Sequence, residues 1–300
     1  MIAAVESYIA LRRAVGYSMR DADRILRSYG RFADARGDRH ALVETIMEWA
    51  RRGRSAERRE ALVRKVAPLA RHLHAEDPRH EIPPYRVFAG DPFRRPVPFI
   101  FTTEQVSKLV GAALRLEPVG SVRRHVFAAL FSLLSATGLR ISEALALRLD
   151  DVTSDGLRIR ETKCHKSRLV TLHPTAQAGL ARYLHRRRAL AGDRVFVGVT
   201  GRPLAYEQVK VVFWKLLSAI GIDRHAAGPR PRLHCLRHTF AVRALESCVD
   251  LRSIAKHQLA LSTYLGHASV ASTYWYLEAT PHLLSSISIG AERFVEGYAR

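Results

Sequence analysis

The sequence predicts a mainly α-helical protein with two domains: a helical N-terminal domain and a mostly helical C-terminal domain that carries a small antiparallel β-sheet. Apolar residues recur at helical spacing along most of the 300-residue chain. Five prolines and a glycine between residues 81 and 100 indicate a linker. We therefore predict an N-terminal domain over 1–88, a linker over 89–99 and a C-terminal domain over 100–300, with a tail from about 281.

The N-terminal domain is expected to contain four short helices between residues 1 and 80. The stretch "DADRILRSYGRFADARG" places apolar residues on one face and ends at Gly37. A second stretch of this kind ends at Gly53, and Ser55 with Glu57 begins another. Pro68 is expected to kink that last helix.

The C-terminal domain begins where Thr102 or Thr103 can cap a helix. A long apolar helix follows and ends at Gly138, after which the sequence predicts two strands, 157–161 and 168–173. Helices are then expected over 174–190, 204–220, 233–247 and about 250–261.

The charge of the chain indicates a polyanionic partner. Its formal net charge is +20, and only seven of its 48 basic residues are lysines. Both predicted domains are basic, so we expect nucleic acid to contact both, and arginine's planar fork suits phosphate oxygens. A genome that prefers arginine codons would explain arginine over lysine, but not the size of the excess.

The three cysteines have no CxxC spacing, which argues against a disulfide framework or a zinc site. The N-terminus lacks the apolar core of a signal peptide, and no apolar run reaches the length of a membrane span. We expect a soluble protein of a reducing compartment, without a membrane partner.

Polar residues with a possible chemical role fall in four separated stretches of the C-terminal domain. Arg140 follows Gly138 in a turn between apolar helices, so its head must reach solvent, a carboxylate or a ligand. A surface position, or a pair with Glu143, explains it equally well. The turn between the strands is cationic and can contact phosphate or be merely solvated; it carries Lys163, His165, Lys166 and Arg168.

The third stretch, "PRLHCLRHTFAVRAL", places His234 and Arg237 three residues apart, on one face near a helix N-terminus. The fourth, "YLGHASVASTYWYLEAT", contains Gly266 and His267 followed by Tyr274 and Tyr276. Those two tyrosines lie about 200° apart on a helix, so they cannot face the same phosphate.

Together these stretches supply a metal-free set of groups for phosphoryl transfer. Arginines can clamp phosphate oxygens, a lysine or histidine can move protons, and a tyrosine hydroxyl can attack. Nothing in the sequence clusters acidic residues as a two-metal nuclease requires.

Over about residues 100–280, the sequence resembles the tyrosine recombinase (phage integrase, Xer-like) family. "TGLRISEALALRLDDV" resembles the first-arginine box, "TKCHKSRLVTL" the β-hairpin box, "HCLRHTFA" the H-x-x-R-H box and "YLGHAS" the L-G-H box. The first 80 residues look like the family's core-binding domain.

The resemblance implies a set of catalytic residues in this chain: Arg140, Lys163, His234, Arg237, His267 and Tyr276, with Glu143 in support. Tyr276 follows His267 by the nine positions that the family's nucleophile does, whereas Tyr264 is expected to pack. Cys164 and Thr171 depart from the hairpin box and leave Lys166 as a reserve for Lys163. About seven residues around 255–263 are additional, so the helix there must be longer or followed by a loop.

What the resemblance implies is site-specific recombination through a covalent 3′-phosphotyrosine, with no metal or other cofactor. The partners implied are double-stranded DNA with inverted repeats and further copies of the chain, forming a tetramer at synapsis. The tail from about 281 docks on a neighbouring protomer or on its own domain. A type IB topoisomerase-like relaxing enzyme and a catalytically idle DNA-binding regulator remain the alternatives.

Overall fold

The computed structural model describes residues 1–88, 97–160, 167–223, 225–247 and 254–266. The chain divides into two compact units, Met1–Arg95 and Pro96–Arg300. In the parts described, no helix is long and apolar enough to cross a membrane.

The first unit consists of four helices over its described residues. They are α1 (Ile2–Ala14), α2 (Arg20–Ala35), α3 (Val43–Arg51) and α4 (Ala56–Glu76). Four helices are as predicted, but α4 has 21 residues and continues through Pro68, so it is not short. Ser55 caps α4 by accepting a hydrogen bond from the Arg58 backbone N–H at 3.2 Å.

The core of the first unit forms where the apolar faces of these helices meet. Tyr29 of α2 and Trp49 of α3 pack edge to face, with ring centroids 5.6 Å apart, and both side chains are buried. α4 supplies Leu62, Val66 and Leu69 to the same core. Burial of these faces, rather than helix propensity alone, stabilises the unit.

His80 connects the chain after α4 to the chain before α3. The Ala41 N–H donates to His80 Nδ1 at 2.9 Å, and the Glu81 N–H donates to the Ala41 carbonyl at 2.7 Å. Because Nδ1 accepts, the neutral ring carries its proton on Nε2. His74 contacts the His80 carbonyl through Nδ1, so the His74 ring donates there.

The second unit is mostly helical and contains α5 (Thr103–Leu114), α6 (Val122–Thr137) and α7 (Ile141–Ala146) in its first part. A 3-10 turn, Leu149–Asp151, leads into the sheet, after which come α8 (Pro174–Arg187), α9 (Tyr206–Ala219), α10 (Leu233–Glu246) and α11 (Ile254–Leu265). Thr102 and Gln105 form a capping box at the start of α5, which settles the choice between Thr102 and Thr103. α6 packs against α5, α8 and α10 and contributes Leu130, Phe131 and Leu134 to the core.

The sheet has three strands among the described residues, not the two that the sequence predicts. They are β1 (Val152–Thr153), β2 (Gly156–Ile159) and β3 (Arg168–Val170), antiparallel in that order. The two predicted strands are shorter than expected, and β1 is too short to give an alternating pattern. In β3, Val170 is buried and Leu169 is 48% exposed, which puts Arg168 on the buried face with Val170.

We predict that protonation of His80 weakens the first unit in acid. Burial, then the nearby His40, lowers the pKa of His80 below its ordinary value of about 6.5. The unfolded chain therefore binds this proton first as the pH falls. The contribution of His80 to the free energy of unfolding is complete above the ordinary pKa of about 6.5 and is lost as the pH falls through the lower pKa of the folded state. In His80→Asn an amide oxygen can accept the Ala41 N–H but does not titrate.

The measurement is the hydrogen-exchange protection of the Ala41 amide between about pH 7 and pH 5, where the ring titrates. Protection should fall in the wild type and stay nearly level in His80→Asn. Equal slopes in the two proteins would show that His80 is not the titrating group.

Candidate active site

Arg140 lies where the chain turns from α6 into α7. Gly138 ends α6 in the left-handed conformation, with φ of 61°. The Arg140 backbone N–H donates to Glu143 Oε2 at 2.9 Å, and its Nη1 donates to Glu143 Oε1 at 2.8 Å. Solvent, a carboxylate and a ligand were the three expected partners of the Arg140 guanidinium. The structure shows that it binds a carboxylate, that of Glu143, while 28% of its side chain stays exposed.

Glu143 is shared by two arginines. Arg168 donates from Nη1 to Oε1 at 3.0 Å and from Nη2 to Oε2 at 2.9 Å, a bidentate pair. With the two hydrogen bonds from Arg140, the carboxylate accepts four. Burial alone would raise the pKa of Glu143, but the hydrogen bonds from Arg168 and Arg140 outweigh it and hold that pKa below its ordinary value.

The interpretation of Arg168 as part of a cationic hairpin tip is therefore wrong. Its side chain is 13% exposed and lies on Glu143, not at a tip that faces solvent. Sequence reasoning missed it, although a signal was present: residues 168 and 170 share one face of a strand, and Val170 is apolar. A positive charge on the buried face of a strand requires a buried partner.

Arg237 occupies a buried position on α10, with 2% of the residue exposed. Its Nη1 donates to the Gly138 carbonyl at 2.8 Å and its Nη2 to the Leu265 carbonyl at 2.9 Å. α10 is fixed in turn by the start of the unit, where the Phe101 N–H donates to Thr239 Oγ1 at 2.9 Å. Arg237 thus joins α10, the end of α6 and the end of α11.

His234 lies one turn before Arg237 on α10, and its ring contacts that of His238 with centroids 4.6 Å apart. Burial and the neighbouring charges of Arg237 and Arg140 lower the pKa of His234 to about 4. The residue keeps much of its surface open to solvent, which moderates the burial contribution, while the two positive charges act in the same direction. The neutral imidazole can therefore accept a proton at neutral pH.

The C-terminal end of α11 is bound by three arginines on three consecutive carbonyls. Arg168 Nε donates to Tyr264 O at 2.9 Å, Arg237 Nη2 to Leu265 O at 2.9 Å and Arg140 Nη2 to Gly266 O at 3.1 Å. These are carbonyls that the helix itself leaves without partners, and cations are favourable at this end of the helix dipole.

Tyr264 packs, as expected from the sequence. Its ring stacks on Phe240 with centroids 5.6 Å apart, and its hydroxyl donates to the Thr171 carbonyl at 3.2 Å. Burial, opposed by the charge of Arg168, raises the pKa of Tyr264 to about 12. Its phenol is thus engaged with the backbone and harder to ionise.

The additional residues around 255–263 lie within α11, which runs over Ile254–Leu265. α11 ends at Leu265, and Gly266 separates it from His267 in the chain.

The remaining predicted site residues lie outside the described part of the chain: Lys163, His165, Lys166, His267, Tyr274 and Tyr276. The structure thus brings together Arg140, Glu143, His234 and Arg237, and adds Arg168. Within the described ranges, no cluster of three or more histidine, cysteine or acidic residues is arranged to hold a metal ion.

The sequence matches one family model and is similar over most of its length to several named proteins. The model of the phage integrase family matches residues 100–282. A Sinorhizobium fredii protein named integrase/recombinase y4rB is 35% identical over 97% of this chain and 96% of its own. The tyrosine recombinase XerD of Caulobacter vibrioides is 33% identical over 87% of this chain and 88% of its own.

Among solved structures, the fold resembles that of the XerH site-specific recombinase in a post-cleavage complex with palindromic difH substrate. The TM-score is 0.67 at 20% identity, over 89% of this chain and 78% of that one. At this identity the likeness concerns the fold alone.

We predict that Gly138→Ala destabilises the second unit. An added Cβ would lie 2.5 Å from Phe240 Cδ1 and 3.0 Å from Leu265 Cδ2, and the left-handed backbone costs an L-residue a further ~1–2 kcal/mol. Gly111→Ala is the control, because its Cβ would meet only the Arg115 side chain at 3.6 Å.

Gly111 lies inside α5, where alanine gains up to about 1 kcal/mol of helix propensity. Urea unfolding should therefore move in opposite directions for the two variants. An unchanged midpoint in Gly138→Ala would contradict the tight packing of α6, α10 and α11 at this glycine.

Proposed function

The chain belongs to the phage integrase family, and we propose that Tyr276 is the nucleophile with which it cuts and rejoins DNA. As a tyrosine recombinase, it is an enzyme of site-specific DNA recombination. The proposal extends to the remaining catalytic residues: Arg140, Lys163, His234, Arg237 and His267, with Glu143 in support.

The observation that carries the proposal is the meeting of Arg140 and Arg237 at the end of α11. Arg237 donates to the carbonyl of Leu265, the last residue of α11, and Arg140 to that of Gly266, the next residue; His267 follows directly in the chain. Two arginines, the neutral His234 and the end of α11 thus lie together, and Tyr276 follows Gly266 by ten positions in the sequence. Such convergence supports a phosphate site, because guanidinium groups bind phosphate oxygens in a defined geometry.

In the proposed reaction, the Tyr276 phenol oxygen forms a bond to the scissile phosphorus while the bond from phosphorus to the 5′-oxygen breaks. The phenol proton passes to a base, for which His234 is a candidate because its imidazole is neutral at neutral pH and has a free nitrogen lone pair. Lys163 or His267 supplies a proton to the departing 5′-oxygen. A 3′-phosphotyrosine and a free 5′-hydroxyl result, and a 5′-hydroxyl from a partner strand reverses the same steps.

Arg140 and Arg237 stabilise the charge on the non-bridging oxygens as the phosphorus becomes pentacoordinate. Preorganised donors are effective here because they need no reorientation during the reaction. The energy of the phosphodiester is retained in the covalent link, so no ATP is required, and no step above requires a metal.

Residues 1–88, within the first unit, are proposed as a core-binding domain that contacts duplex DNA together with a catalytic domain over 100–300; a linker over 89–99 joins the two. A net charge of +20 shared by both parts supports contacts from each. Exchange between two duplexes requires four strand cleavages, and each protein chain provides one nucleophile. Four copies at a site with inverted repeats therefore form the active assembly, with the tail from about 281 docking within it.

We predict that Tyr276→Phe abolishes covalent protein–DNA adducts and leaves DNA binding intact. The probe is total DNA of the source organism, sheared and incubated with the full chain; denatured adducts are isolated and their DNA ends sequenced. Wild-type ends should map to one or a few sequences, which then serve as a nicked duplex substrate.

Tyr274→Phe is the matched control for this experiment, since it removes the same hydroxyl two residues away. Adducts should persist in that variant. If they persist in Tyr276→Phe and vanish in Tyr274→Phe, the nucleophile is Tyr274. Rapid relaxation of supercoiled plasmid that lacks the mapped site would instead favour a topoisomerase-like activity.

We also predict a steep dependence of DNA affinity on salt. Release of counterions from about six to ten phosphate contacts would weaken binding by ~10³–10⁵ between about 50 and 200 mM salt. Fluorescence anisotropy on a labelled duplex measures this slope. A nearly flat response would remove the argument from charge.

A further inference from the structure

Arg168 is a buried cation that the proposed chemistry does not use directly. Its guanidinium makes two hydrogen bonds to Glu143 and one to the Tyr264 carbonyl. It comes from β3, whereas Glu143 belongs to α7 and Tyr264 to α11. An arginine that joins three separate elements beside the arginines of a phosphate site needs an explanation beyond surface charge.

The carboxylate of Glu143 opposes the action of Arg140 on a phosphate unless its charge is neutralised. Its carboxylate lies against Arg140 through both the backbone N–H and Nη1. A negative charge so close to Arg140 would cancel much of the field that Arg140 presents to a phosphate. The bidentate pair with Arg168 neutralises the carboxylate from its other side, with both side chains largely buried.

Arg168 also sets the net charge of the cluster. Arg140, Arg168 and Arg237 with Glu143 leave two net positive charges. Attack of a phenolate on a phosphodiester develops a second negative charge in the transition state, so each net positive charge of the cluster contributes to its stabilisation. Without Arg168, one net positive charge would remain.

We propose that Arg168 is a positioning residue that neutralises Glu143, so that the positive field of Arg140 acts on the scissile phosphate without being cancelled by the carboxylate. This proposal rests on the function proposed above. Its distinctive consequence is that the defect of Arg168→Met is relieved by removing the charge of Glu143. A purely structural role predicts instead that the loss of both partners is at least as harmful as the loss of one.

The first measurement needs no DNA substrate. Glu143 raises the pKa of His234, whereas Arg237 and Arg140 lower it, so the His234 ring reports the charge balance of the cluster. An NMR titration of the full chain with labelled histidine, assigned by His234→Gln, should give a higher His234 pKa in Arg168→Met. The double variant Glu143→Gln/Arg168→Met should return it toward the wild-type value.

The second measurement is the single-turnover rate of adduct formation on the mapped duplex. Arg168→Met should slow it by on the order of 100-fold, as expected for the loss of one preorganised charge interaction. Arg168→Lys keeps the charge and should retain part of the rate, and the double variant should be faster than Arg168→Met. DNA affinity should change much less than the rate.

Arg160→Met is the matched control. Arg160 pairs with Asp151, a buried carboxylate beside the same sheet, so the substitution removes one arginine from one buried acid. It should change neither the His234 pKa nor the adduct rate substantially. Thermal unfolding of each variant verifies that the chain is folded, and the double variant avoids leaving a buried charge with one partner fewer.

Three results would overturn the proposal: an unchanged His234 pKa in Arg168→Met, a double variant no faster than Arg168→Met, or an equal loss of rate in Arg160→Met. If the wild type forms no adduct on any DNA, the proposed function fails. The histidine titration still decides in that case whether Arg168 neutralises Glu143.

Discussion

The site depends on one buried carboxylate, that of Glu143. It accepts four hydrogen bonds, two from Arg140 and two from Arg168, so its charge is compensated although only 7% of the side chain is exposed. Such compensation is what makes burial of a charge tolerable. Because the two arginines come from the α6–α7 turn and from β3, the carboxylate also fixes the sheet against the helices.

The second constraint is the end of α11. Its last carbonyls are acceptors that no later turn of the helix satisfies, and Arg168, Arg237 and Arg140 supply the donors. Gly266 follows with φ of 66°, and a Cβ there would lie 2.8 Å from Arg168 Nη1. A glycine is therefore required at the point where the chain leaves α11, since a side chain would displace the guanidinium that binds Glu143.

The sequence predicts most of the fold because its signals are local. Helical spacing, the stop at Gly138 and the cap at Thr102 each involve residues that are close in the chain. Arg168 shows where this reasoning ends, because its partners lie 25 and 96 residues away. Alternation along β3 indicates that Arg168 faces inward, but no local pattern identifies the carboxylate it meets.

The geometry also links phosphate binding to the position of α11. Arg140 and Arg237, the arginines assigned to the phosphate, are the same groups that bind the carbonyls of Gly266 and Leu265. Any change in the end of α11 that moves these guanidinium groups must alter phosphate affinity, and by reciprocity a bound phosphate must favour one position of α11. The chain runs from Gly266 directly to His267 and on to Tyr276. In the proposed reaction the two arginines would therefore both receive the phosphate and hold the helix that precedes Tyr276 in the chain. A substitution that weakens the carbonyl contacts would thus lower the rate of strand cleavage even where the affinity for DNA, which depends on phosphate contacts along the whole duplex, stays nearly the same.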